Sequence, residues 1–268
     1  MEKAAFASDG ALGKVHKGKW GGQDVVIKVI KTSSEEAKLT IKSEAKIAVP
    51  LDHPNVLKVF GITTVKGEKL GLVMEWAERG SLAEWIGKVE IGPEKARKIA
   101  LGIIDGLKYV HSQKVIHRNI KPKNILMFGP EDDMIPKIAE FGVAKVLEKA
   151  VTQTKVGEDI YVAPEVKVHS QYSFPADIFS LATTLFEMFN EKLISESSNE
   201  MKRFIMAMHS GRFSDFPQTC KVPEYLRKVI EKGWNEKPEE RPSLDKFQEI
   251  IKGLNSILFL LHMQQRYV

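Results

Sequence analysis

A single cysteine, Cys220, stands in the 268 residues. One thiol excludes an intrachain disulfide and a cysteine metal cluster, and points to a reducing compartment. Long apolar runs are scarce as well. The longest, Ile257 to Leu261, is far too short to cross a bilayer, and Met1 to Ala4 open no hydrophobic leader. Internal repeats and low-complexity tracts are missing, which sets aside solenoids and linkers. Excess charge of one sign is small. The net +5 arises from 40 basic and 35 acidic residues interspersed along the chain, a mixed solvated surface rather than a nucleic-acid face. These absences lead us to expect a cytosolic or nuclear domain, most simply a cytoplasmic one, with neither nucleic acid nor membrane among its partners.

What is present is enough apolar material for a core. At 43% hydrophobic and 28% charged, the chain fits one large domain or two small lobes. The stretch His117-Arg118-Asn119-Ile120-Lys121-Pro122-Lys123-Asn124, with Glu140-Phe141-Gly142 starting sixteen residues after its last asparagine, gathers chemistry of one kind. Lys121 offers a point charge to phosphate, while Asn124 offers an amide oxygen and Glu140 a carboxylate to a hard cation. Together they suit a magnesium nucleotide. A proton acceptor is lacking, because Asn119 cannot take a proton at neutral pH.

Upstream, Ser8-Asp9-Gly10-Ala11-Leu12-Gly13, then Lys14 to Trp20, Gly21-Gly22, and Val25 to Ile30 read as strand, glycine turn, strand, hairpin turn and strand. Gly10 and Gly13 let phosphate oxygens come near the backbone, and Val15 would lie over a flat base. Taken alone, a plain hairpin explains these glycines better. Ser33 to Val49 is rich in helix formers and stops before Pro50, with Glu44 on a face shared by Ile41 and Ala48. Val56 to Thr64 and Lys69 to Glu75 complete a five-stranded antiparallel sheet. Pro93 to Ser112 carries Ile99, Ile103, Leu107 and Val110 at the spacing of a buried helix. Leu254 to Val268 continues an apolar helical pattern, read as a final packed helix. A dinucleotide-binding oxidoreductase does not fit, because the glycine turn joins antiparallel strands and opens no helix.

The chain resembles the eukaryotic protein kinases, in particular their tyrosine-kinase-like group. Residues 117–124 are similar to the catalytic loop H-R-D-x-K-x-x-N, and Glu140-Phe141-Gly142 to D-F-G. Val25-Val26-Ile27-Lys28 is similar to the V-A-I-K that follows a glycine-rich loop, and Ala163-Pro164-Glu165 to A-P-E. Gly233-Trp234 through Arg241-Pro242-Ser243 looks like the C-W-x-x-x-P-x-x-R-P-[ST] signature. The likeness covers nearly the whole chain. It implies an α+β fold of two lobes: a small five-stranded antiparallel sheet plus one helix, and a larger, mainly helical lobe. One domain over 1–268 would divide into 1–74, a hinge at 75–78, and 79–268.

The resemblance also implies ATP and Mg²⁺ as ligands and a place for each residue. Lys28, paired with Glu44, would meet the α and β phosphates. Backbone groups of Glu75 and Ala77 would meet the adenine edge, with Met74 gating the space behind it. Val26 would pack on the base and Leu126 would form its floor. Ser81, the expected N-cap of the next helix, counts among the nucleotide-binding residues. Asn124 and Glu140 would hold the metal. Asp177 would bond the catalytic-loop backbone, His117 would pack beneath Phe141, and Arg241 would pair with Glu165. Phosphate on Thr152 or Thr154 would be met by Arg118.

Several departures bear on activity. Asn119 replaces the carboxylate that accepts a hydroxyl proton, Glu140 is one methylene longer than Asp, and Glu158 could pair with Lys121 where a threonine is usual. Ser8 stands for the first glycine of the loop, and Val26 narrows the base slot by about two methyl groups. The expectation is a pseudokinase-type signalling domain that binds a nucleotide and changes shape for a protein partner. The alternative is an active or slow Ser/Thr kinase that uses Asn119 and Glu140 as they stand, since positioning and charge supply most of the rate.

Overall fold

The computed structural model describes residues 5–10, 13–30, 34–65, 69–142, 145–146, 159–169, 172–212 and 215–253. Its small N-terminal lobe is built on a sheet ordered β1-β2-β3-β5-β4, every neighbouring pair antiparallel. The strands are β1 (Ala5–Gly10), β2 (Gly13–Trp20), β3 (Gln23–Ile30), β4 (Val59–Val65) and β5 (Lys69–Glu75). Gly21 and Gly22, at φ 59° and 81°, make the two-residue turn between β2 and β3. Both left-handed positions in such a turn favour glycine, and the turn's twist matches that of the strands. Side chains of β3 alternate between faces. Val25, Ile27 and Val29 pack with Val73 on one side, while Val26 joins the main core on the other.

Helix α1 (Glu35–Ala48) begins at Ser34, whose Oγ accepts the Ala37 N–H at 3.3 Å. Glu35 and Glu36 in its first turn and Lys46 in its last suit the helix dipole. Ile41, Glu44, Ala45 and Ala48 form its buried face, as their spacing predicts.

Strand β4 starts at Val59, not Val56, and the cause lies in the other lobe. The Leu57 N–H donates to the Ile138 carbonyl and the Ile138 N–H to the Asn55 carbonyl, each at 2.9 Å. This leaves residues 51–57 docked on the large lobe rather than continuing the sheet.

The large lobe holds α2 (Leu82–Trp85), α3 (Pro93–Ser112), β6 (Val115–Ile116), β7 (Ile125–Phe128), β8 (Ile135–Ile138), β9 (Lys145–Val146), α4 (Pro164–His169), α5 (Phe174–Phe189), α6 (Asn199–Met208), α7 (Glu224–Gly233) and α8 (Leu244–Lys252). Helix α3 has the predicted bounds and buries Ile99, Ile103, Leu107 and Val110. Helix α5 is the lobe's axis. Every residue from Ala176 to Phe189 is buried, and its Thr183 hydroxyl accepts the Trp234 indole N–H at 3.0 Å. Arg241 forks onto Glu165 at 2.8 and 2.7 Å, as predicted, and also donates to the carbonyls of Pro175 and Asn235. Among the described residues no helix is long and apolar enough to cross a membrane. The helix expected at 254–268 lies outside the described residues.

Candidate active site

The loop that carries Asn119 is held from behind by one carboxylate. Asp177, at the start of α5 and fully buried, accepts the backbone N–H of His117 at 2.8 Å and that of Arg118 at 2.7 Å. Its Oδ2 also meets His111 Nε2 at 2.8 Å. Burial opposes ionisation of Asp177, but the hydrogen bond and charge of His111, the electrostatic influence of His117 and the Arg118 backbone N–H outweigh it, so its pKa is lowered. Arg118 takes φ 70°, a left-handed turn that this grip holds in place. The His117 ring accepts the Asn119 N–H at Nδ1 and bonds the Ala139 carbonyl through Nε2, which assigns the neutral Nε2–H tautomer. Burial holds that histidine neutral by lowering its pKa. Phe141 lies edge-on to it at 4.9 Å, as expected.

Within this loop the Asn124 amide nitrogen donates to the Asn119 carbonyl at 2.8 Å. That bond identifies the nitrogen and leaves the Asn124 oxygen as its donor to a cation. Lys121 leads into the short 3₁₀ turn Pro122–Asn124. Asn119 reaches its neighbours through backbone bonds to His117 and Asn124.

The second half of the site is a cluster of three charges. Lys28, on β3, donates to both oxygens of Glu140 at 2.9 Å each and lies 3.6 Å from Glu44 of α1. The expected Lys28–Glu44 pair is present, but it is the looser of the two contacts. Burial disfavours the Lys28 ammonium, yet Glu140 and then Glu44 more than compensate, raising its pKa. For Glu44 burial dominates: its pKa is raised, with Lys28 pulling the other way. Glu140 takes φ 68°, a left-handed backbone unusual for a side-chain-bearing residue. Gly142 follows, where a Cβ would stand 3.1 Å from Glu44 Oε2, so this turn fits closely against α1.

The expected base slot is assembled from separate elements. Val26 and Met74 face each other across β3 and β5, and Val15 of β2 pairs with Lys28. Val15, Ala77 and Leu126 pack against the core that contains Val26 and Met74. Ser81 bridges Leu126 across the floor, while its N–H and hydroxyl both donate to Glu84. The Glu75 N–H is engaged by the Lys58 carbonyl at 3.0 Å, and its side chain accepts from Lys58 N at 2.7 Å and from Lys137 Nζ at 2.6 Å. Gly10 and Gly13 are register partners across β1 and β2. Thr152, Thr154 and Glu158 lie outside the described residues.

The donor chemistry suits Mg²⁺, with one carboxylate and one amide oxygen that leave other positions to phosphate and water. Both Glu140 oxygens are, however, engaged by Lys28. Among the described residues no group of three or more His, Cys, Asp or Glu could hold a metal alone. The Glu140–Lys28 contact was not foreseen, and its one sequence signal is the extra methylene of Glu140. The side-chain links of Glu75 had no signal, since Glu75, Lys58 and Lys137 are far apart in the chain.

A part-buried, ion-paired lysine on the third strand, a loop gripped by the large lobe's central helix, and the Glu165–Arg241 fork together define a protein kinase domain. The chain belongs to that family, whose match runs over residues 7–252. It is 30% identical over 254 residues to serine/threonine-protein kinase STY17 of Arabidopsis thaliana, covering 93% of this chain and 43% of that protein. Mitogen-activated protein kinase kinase kinase 7 of Bos taurus is 31% identical over 262 residues, covering 95% of this chain and 44% of that protein. Serine/threonine-protein kinase VIK of Arabidopsis thaliana is 30% identical over 271 residues, at 96% and 60% coverage. This chain therefore spans less than two thirds of the length of each.

Proposed function

We propose that this domain is a pseudokinase-type signalling module. It holds ATP or another nucleotide in its cleft and acts on a protein partner in the cytoplasm through its shape, with phosphoryl transfer absent or very weak. The supporting observation is Asn119. It occupies the position of the proton acceptor on a loop otherwise fixed in place by Asp177. Losing an oriented acid–base group removes about 10²- to 10⁴-fold in rate. Residues 1–268 act as one domain, with lobes 1–74 and 79–268 joined by 75–78.

In this reading Val15, Val26, Met74, Ala77 and Leu126 receive the base, and the Glu75 carbonyl and Ala77 N–H face its edge. Gly10 and Gly13 border the phosphates, Lys28 and Lys121 supply positive charge, and Asn124 and Glu140 are the oxygen donors for Mg²⁺. When bound, that ion neutralises phosphate charge. A second reading, a slow Ser/Thr kinase, is favoured by the assembled Lys28–Glu44 pair and by relatives named as Ser/Thr kinases.

The test is thermal unfolding with ATP, with and without Mg²⁺, beside transfer of a radiolabelled phosphoryl group by the protein and by Asn119→Asp. We expect nucleotide to raise Tm, no label with the unaltered chain, and label with the variant. Robust transfer by the unaltered chain would overturn the first reading in favour of the second.

A further inference from the structure

The three-charge cluster has a property that the proposed function does not require. Lys28 is the cation offered to phosphate, yet its ammonium is already gripped by both oxygens of Glu140 at 2.9 Å, with Glu44 at 3.6 Å. One cation with two carboxylates gives the cluster a formal charge of −1, so metal-free polyphosphate meets net repulsion there. The lysine side chain is 12% exposed and that of Glu44 is 6% exposed, so bulk water screens their interaction little. Glu140, at 31%, is the most exposed of the three.

We infer that Glu140 is a specificity-determining residue: its carboxylate competes with nucleotide phosphate for Lys28, making phosphate recognition conditional on a divalent cation that draws Glu140 away. This deepens the proposed function and rests on its reading that the cleft takes a nucleotide. The chemistry is an exchange of partners. Glu140 passes from ammonium to cation, phosphate oxygens take its place on Lys28, and Glu44 remains as the buried counter-charge. Contacts of 2.9 Å between an ammonium and a carboxylate are charge-assisted hydrogen bonds, stronger than neutral ones. A shorter carboxylate at residue 140 would have one methylene less with which to span the same gap.

Calorimetric titration with ATP in EDTA and in Mg²⁺ tests this on the unaltered protein, Glu140→Gln, Glu140→Ala and the surface control Glu35→Gln, with thermal unfolding to verify that each is folded. The unaltered protein and Glu35→Gln should bind ATP weakly in EDTA and much more tightly with Mg²⁺. Glu140→Gln and Glu140→Ala should bind metal-free ATP about tenfold or more tightly than the unaltered chain, with most of the Mg²⁺ effect lost. Equal metal-free affinity in the unaltered and Glu140 proteins would overturn the inference while leaving nucleotide binding intact. A gain equalled by Glu35→Gln would also overturn it, as an effect of net charge alone. No binding by any protein in either condition would overturn both this inference and the nucleotide half of the proposed function.

Discussion

His209 lies tilted against Phe179 at 4.7 Å and edge-on to Trp234 at 5.2 Å, and among the described residues its Nε2 has no hydrogen-bond partner. Burial, and then the charge of Lys167, lower its pKa from 6.5 to about 3. Above 6.5 the ring is neutral whether folded or unfolded. Below that, the unfolded chain takes up a proton that the folded one refuses, so stability falls as pH drops from 6.5 toward 3. Urea titrations across this range should show the loss, and His209→Phe should flatten it. An equal slope in the variant would assign the loss to other groups. At this scale the sequence was informative wherever a residue sits in a motif with a fixed partner: Glu165 with Arg241, Asp177 with the loop backbone, His117 beneath Phe141. It was nearly silent on Glu140 and Lys28, because a contact between residues 112 apart leaves no pattern in a single chain beyond the longer side chain at 140.

Helix α3 carries two glycines that its periodicity does not explain. A Cβ on Gly106 would lie 2.5 Å from the Asn55 carbonyl oxygen, and one on Gly102 would lie 2.6 Å from Pro136 and 2.8 Å from Asn55. They are one turn apart, on the face that receives residues 51–57, whose Asp52 N–H donates to the Tyr109 hydroxyl of the same helix at 2.9 Å. Alanine is preferred over glycine in a helix by about 1 kcal/mol. Gly106→Ala should nonetheless destabilise the domain, by about 1–3 kcal/mol in chemical denaturation, because the new methyl group meets backbone. A stabilised variant would show that the segment yields easily. Strands and helices were legible from alternation, turn glycines and apolar spacing. The late start of β4 was not, since Leu57 bonds Ile138 of β8, 81 residues downstream.

Across the whole molecule, the two lobes are joined by more than the hinge. Lys137 of β8 reaches Glu75 at 2.6 Å while lying 4.4 Å from the Phe128 ring, and Asn55 donates to the Pro136 carbonyl at 2.9 Å. Lys137→Met keeps the apolar stem and removes the charge. It should cost about 1–3 kcal/mol and speed amide hydrogen exchange around β5 and residues 51–57 relative to α5. Unchanged exchange there would mean that the backbone bonds alone couple the lobes. The two-lobe plan was legible because the sequence changes from turn-punctuated alternation to long apolar helices near Glu75; the ties between the lobes were not, being made by side chains from opposite ends of that change. The hold of Asp177 on residues 117 and 118 has a further consequence for anyone rebuilding this protein. The posture of the loop is imposed by a helix behind it, independently of what side chain residue 119 presents. That position is therefore an exchangeable fitting, where an acid, an alcohol or a thiol could be installed without redesigning the frame.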